Sequence, residues 1–120
     1  MLLVLVGCSS VRPLCRSDES IRASLLKRTP LGSSTNQVYA FIKQHQWPIY
    51  RESADTGFTM RLPGRNEAHS PVVGSSFVAC ELGTTCFVMF PFETMKFAYW
   101  GFDKSGHLIE VWVDQDTDAL

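Results

Sequence analysis

No stretch of this 120-residue chain approaches the roughly 18 consecutive apolar residues of a spanning helix, and nowhere do Lys and Arg gather into a run. The first absence excludes a helical membrane span past the N-terminus. The second excludes a basic track for a nucleic-acid backbone and a polybasic patch for an anionic membrane. Gly-rich phosphate loops and metal-binding HExxH helices are missing too, which removes the commonest signatures of nucleotide and metalloprotease chemistry. Internal repeats and low-complexity blocks are absent. What remains is an ordinary globular composition, 45% hydrophobic and 19% charged with a formal net charge of −1. Its length is that of one domain.

The first residues carry the strongest local signal. Leu5-Val6-Gly7-Cys8 has the form of a lipobox: a short apolar run, a small residue before a cysteine, and polar Ser9-Ser10 behind it. In that reading the Cys8 thiol takes a diacylglyceryl group, the chain is cut after Gly7, and the new amino terminus is acylated. One acyl chain binds a bilayer only marginally, at about 0.8 kcal/mol per buried methylene, so several chains on Cys8 would make a durable anchor. Met1 to Val6 is shorter than the usual apolar core of about 7–15 residues and has no Lys or Arg before it. Either the natural start lies upstream, or the run is a buried strand in which Cys8 is a small apolar residue. The expected organisation is a truncated signal over residues 1–8, a tether over 9–17 and a single domain over 18–120.

With Cys8 lipidated, three cysteines remain: Cys15, Cys80 and Cys86. Cys80 and Cys86 flank Glu81-Leu82-Gly83-Thr84-Thr85, which reads as a hairpin tip, so they are expected either to face each other as a disulfide or to be two buried thiols. A bridge closing so small a loop would contribute about 2–3 kcal/mol. A zinc site using them with His69 or His107 would need paired spacings that this chain does not have.

Helical signals begin at Ser17. Ile21, Leu25 and Leu26 follow acidic Asp18 and Glu19, basic Lys27 and Arg28 close the segment, and Pro30 ends it, an order that suits the helix dipole. Ser34 and Gln37 then form a capping box for a second helix whose stripe is Val38, Phe41, Ile42 and His45, stopped at Pro48. Beyond Pro48 the period becomes two. Residues 49–53 and 58–62 read as a hairpin around Asp55-Thr56-Gly57, and 77–82, 86–92, 96–102 and 108–113 as four further strands. Asp103-Lys104-Ser105-Gly106 is a clear hairpin turn. Between them the polar loop 63–74, which holds His69, is the likeliest partner-facing segment. Short turns require antiparallel pairing. The expected fold is α+β: two N-terminal helices on one face of an antiparallel sheet of five to six strands, with a partly closed barrel as the alternative.

Catalysis finds little support. Gly74-Ser75-Ser76-Phe77 lacks the second glycine of a nucleophile elbow, His107 flanks a turn, and the acids are those of a wet sheet face and, at Asp114, Asp116 and Asp118, of an acidic tail. The aromatics say more. Phe77, Phe87, Phe90, Phe92, Phe97, Tyr99, Trp100, Phe102 and Trp112 exceed what one sheet face of a small domain buries. Either the second face is covered by the tether, the polar loop or curling of the sheet, or it is an exposed patch. Such a patch would hold Trp112 with Phe97 and Tyr99, or with Trp100 and Phe102, and dock a protein or a lipid headgroup.

Two segments together resemble a known group. Leu31-Gly32-Ser33-Ser34-Thr35-Asn36-Gln37-Val38 is similar to the start of a helix in small bacterial lipoproteins of the BamE/SmpA/OmlA group, and Phe102-Asp103-Lys104-Ser105-Gly106-His107-Leu108 to their penultimate hairpin. That resemblance implies two helices on an antiparallel sheet, a lipid anchor, and a non-catalytic role in outer-membrane assembly or integrity through protein and phospholipid contacts. Ser9 in place of Asp implies forwarding to the outer membrane. Inhibitors of the β-lactamase-inhibitor type share a related two-helix, multi-strand architecture. The expectation is therefore an envelope protein, anchored on the periplasmic face, that binds an envelope protein partner and needs no cofactor beyond the lipid on Cys8. The alternative is a periplasmic inhibitor or immunity protein that blocks an enzyme. The expected partner-binding residues are Trp112, Trp100, Phe97, Tyr99 and His69.

Overall fold

The computed structural model describes residues 17–61, 70–84 and 92–119. Helix α1 spans Asp18–Arg28 and α2 spans Thr35–His45; they precede strands β1 (Ile49–Ser53), β2 (Phe58–Thr59), β3 (Val72–Val73), β4 (Ser76–Thr84), β5 (Phe92–Phe102) and β6 (Leu108–Ala119). The fold is α+β, with β1-β4-β5-β6 forming one antiparallel sheet and β2-β3 a separate ribbon.

Both helices start where local chemistry favours a start. The Ser17 hydroxyl accepts the Ser20 N–H at 3.1 Å, and at α2 the box closes in both directions, Ser34 Oγ accepting from Gln37 N and Gln37 Oε1 from Ser34 N. These bonds satisfy amides that have no intrahelical acceptor. Ile21 and Leu25 of α1, with Val38, Phe41 and Ile42 of α2, are buried against Val78, Cys80, Ala98, Trp100, Phe102, Val111 and Val113 of the sheet. This main core lies on one face only. Alternation along β5 sends Lys96, Ala98, Trp100 and Phe102 to the helices and Phe97, Tyr99 and Gly101 to the opposite face.

Polar ties fix α1 to the sheet. Arg22 donates to the Val111 carbonyl at 2.7 Å and to Glu110 Oε1 at 2.5 Å, covering part of the outer edge of β6. Lys96, 4% exposed, is paired with Asp18 in the first turn of α1 and donates to Gln115 Oε1 at 2.5 Å, so its buried charge is compensated.

Several expectations about the strands change. Residues 49–53 do form a strand, but β1 pairs with β4 (Arg51 with Ala79, Ser53 with Phe77), not with residues 58–62. Ser53 Oγ accepts the N–H groups of Asp55 and Thr56, each at 3.2 Å, and the Thr56 hydroxyl at 3.1 Å, which gathers the turn locally and leads the chain off the sheet. Beyond it Phe58 and Thr59 pair with Val73 and Val72. The strand drawn over 86–92 lies outside the described residues except Phe92, which opens β5. β5 is one eleven-residue strand paired with both β4 and β6, and β6 continues through the acidic segment read as a tail. The hairpin at 103–106 forms as expected: Gly106 sits at φ +82° and donates to the Asp103 carbonyl at 3.0 Å. The Asp103 carboxylate accepts from Ser105 N and His107 N; the His107 bond is the main reason its pKa lies below the usual carboxylate value.

Candidate functional site

The face of the sheet away from the helices carries the only other cluster of buried apolar residues among those described. Phe58 of the ribbon, with Phe77 and Ala79 of β4, is buried there, and Met60, Val73, Tyr99 and Trp112 are half-buried around it. The ribbon can descend this far because Gly101 offers no side chain: a Cβ there would stand 2.9 Å from Phe58 Cε1 and 3.3 Å from Val73 Cγ1. Phe58 then packs on Phe77 and Tyr99, with ring centroids 6.0 and 5.2 Å apart. Such aromatic pairs contribute about 0.5–1.5 kcal/mol beyond the area they bury.

The ribbon covers this face incompletely. Between β1 and the ribbon remains a cleft of about 570 Å³, with Phe58, Phe77 and Tyr99 among its lining residues and Tyr50, Arg51, Glu52, Arg61 and Asp114 beside them. Tyr50 is 43% exposed, its ring 4.5 Å from that of Phe97. Arg61 donates from Nε to Asp114 Oδ2 at 2.8 Å, with its second nitrogen 2.7 Å from the same oxygen. Glu52, on the helix-facing side of β1, accepts the Tyr39 hydroxyl at 2.5 Å. Burial above all, then the charge of Asp114 and the Tyr50 phenol, raises the Tyr99 phenol above its ordinary value, while Arg51 and Arg61 oppose the shift. The phenol therefore stays protonated and can donate a hydrogen bond.

The expected partner-binding residues fall into three groups. Phe97, Tyr99 and Trp112 share the second face, with Tyr99 directly opposite Trp112. Trp100 does not join them: it is 0% exposed, under the helices, its indole N–H donating to Thr29 Oγ1 at 3.1 Å. The odd and even positions of β5 point oppositely, so Phe97/Tyr99 and Trp100/Phe102 could not both serve. His69 lies outside the described residues, as do Cys8, Cys15 and most of the polar loop. The patch is also less exposed than a docking surface of bare aromatics, because Met60 and Val73, at the two ends of that loop, close over it. Trp112 Nε1 is buried with no hydrogen-bond partner among the described residues, an arrangement that costs about 1–3 kcal/mol.

Of the two readings left open for Cys80 and Cys86, a bridge or buried thiols, only Cys80 falls within the described residues. Cys80 is a free thiol, 0% exposed on the helix-facing side, with Ile49 and Ala98 as its cross-strand neighbours. β4 pairs with β5, and Ala98 occupies the place opposite Cys80, while Cys86 lies outside the described residues. His107 is exposed at the hairpin beside Asp103 and does not line the cleft.

Sequence reasoning missed Tyr50, Arg51, Arg61 and Asp114 as site residues. Their only local signal is an aromatic beside a cation on a short strand, and their convergence depends on β1 pairing with β4. Among the described residues no cluster of three or more His, Cys, Asp or Glu could hold a metal ion, and no helix is long and apolar enough to cross a membrane. Comparison with known proteins finds no matching family model, no matching curated relative and no matching solved structure.

Proposed function

We propose that this chain is a non-catalytic binding protein, held at the periplasmic face of the outer membrane by lipid on Cys8, that presents the second face of its sheet to a protein partner. Its role would be that of an accessory factor in outer-membrane assembly or integrity. The observation that carries the binding role is the cleft: aromatic walls and an ionic rim on a face only partly covered by its own ribbon. Tyr and Arg side chains in such a setting are the residues that most often dominate association energies. The hydroxyls of Ser53 and Thr56 in the cleft are bonded to one another, with no histidine beside them among the described residues, so the described lining offers hydrogen bonds and ring surfaces. The anchor is supported by Leu5-Val6-Gly7-Cys8 and the polar residues behind it.

The test joins both parts. In a bacterial host supplied with an alkyne-bearing palmitate, the chain should take up label, and Cys8→Ser should abolish it. Pull-down from detergent-solubilised envelopes should recover assembly-machinery subunits, and Tyr50→Ala should lose them. Recovery of a single soluble hydrolase would replace this reading with that of an inhibitor. Unlabelled protein would remove the anchor.

A further inference from the structure

Most charged side chains lining the cleft are matched within the protein. Arg61 is paired with Asp114 and Glu52 accepts from Tyr39. Arg51 differs. It is exposed on β1, its guanidinium carbon stands 5.3 Å from the Tyr50 ring centroid, and no carboxylate among the described residues forms an ion pair with it. Its register opposite Ala79 puts it on the face that carries the aromatic cluster. Tyr99 lines the same cleft as Arg51, and its phenol feels the charge of that guanidinium.

We infer that the cleft takes an aspartate or glutamate side chain of the partner protein, its carboxylate against Arg51 and the Tyr99 hydroxyl, with an adjacent apolar side chain on the ring of Tyr50. This rests on reading the cleft as the partner-binding surface and adds the chemistry of what enters it. A planar guanidinium binds carboxylate through paired N–H donors, and a neighbouring ring face shields that contact from water. Tyr50, 43% exposed and packed at a tilt against the Phe97 ring, is an apolar platform beside it. A bilayer surface is the poorer occupant. Recognition of anionic lipid uses clusters of about four to eight Lys or Arg, and among the described residues the cleft has one cation without a carboxylate partner.

A random heptapeptide library displayed on phage, selected on the full chain in detergent, tests this directly. Enriched peptides should carry Asp or Glu next to Phe, Tyr, Trp or Leu. As synthetic peptides they should bind Arg51→Glu at least about tenfold more weakly than the unaltered protein, with a smaller loss for Arg51→Lys. Tyr99→Phe, which removes only the hydroxyl, should weaken them several-fold. Both positions can be checked for folding by circular dichroism, and Arg51 is exposed, so loss of binding is separable from loss of structure. Enrichment of basic or uncharged peptides, equal binding to Arg51→Glu, or no enrichment would overturn the inference. In each of those cases a partner recovered from envelopes and lost with Tyr50→Ala would still stand, so the two failures are distinguishable.

Discussion

The Trp100 indole N–H donates to the Thr29 hydroxyl at 3.1 Å, and that hydroxyl donates to the Leu25 carbonyl at 2.7 Å. Both side chains are buried, so this short relay at the end of α1 satisfies the one polar atom that Trp100 brings into the core. Thr29→Val keeps the shape and strands the indole donor. It should cost about 1–3 kcal/mol in urea unfolding, and Thr29→Ser should recover most of that. Equal midpoints for the threonine and valine proteins would show that the relay contributes nothing.

That relay also shows where sequence reading stopped. Helix α1 was legible because its cap, its acidic start and its basic end lie within twelve residues, as were the Ser34–Gln37 box and the turn at Asp103–Gly106. Partnerships across long separations were not. Nothing near Arg51 announces Ala79, and nothing near Phe58 announces Val73, yet those pairings separate the ribbon from the main sheet and open the cleft. Residues 114–118 alternate acids with polar residues and contain no apolar side chain, so they read as a tail although β5 holds them in register. The second aromatic face was legible from the count of rings and the two-residue period. A cover from the polar loop was among the readings; the pairing of Phe58 with Val73 that makes it was not.

Gly101 decides how closely that ribbon seats. Gly101→Ala would set a methyl 2.9 Å from the Phe58 ring and should destabilise by about 1–3 kcal/mol, the usual cost of overfilling a packed site. Shortening the intruding ring should relieve it, so Gly101→Ala combined with Phe58→Leu should be less destabilised than the sum of the two single changes. Simple additivity in chemical unfolding would mean the two residues do not press on each other.

Lys96 and Asp18 should respond unequally to mutation. Lys96 is 6% exposed in its side chain and Asp18 is 37% exposed, so water can solvate the acid but not the amine. Lys96→Met, which replaces a buried charge by a flexible apolar chain, should cost less than about 1 kcal/mol. Asp18→Ala leaves the ammonium with Gln115 alone and should cost about 1–3 kcal/mol, a figure already reduced for the exposure of Asp18. The comparison of the two thermal midpoints is the measurement, and the opposite order would reject this account of the pair.

Cys80 should make stability fall in alkaline solution. Burial first, then the charge of Glu81, pushes its thiol up to about 12, while in the unfolded chain it ionises near its ordinary value of about 8.5. Folding therefore favours the protonated thiol. Its contribution is fully present below the unfolded value and is lost as pH rises from there through about 12. Other groups titrate in that window, so the informative quantity is the stability difference between the unaltered protein and Cys80→Ala. The alanine protein bears a fixed cost for the space it leaves, and this difference should shrink between pH 8 and pH 11 as the unaltered protein loses its thiol contribution. A chain keeping Cys80 alone, with Cys8, Cys15 and Cys86 replaced by Ser, should react with a thiol reagent at pH 8 only at the rate at which it unfolds. A pH-independent difference together with fast labelling of the folded chain would place an accessible, ordinary thiol where the core is drawn.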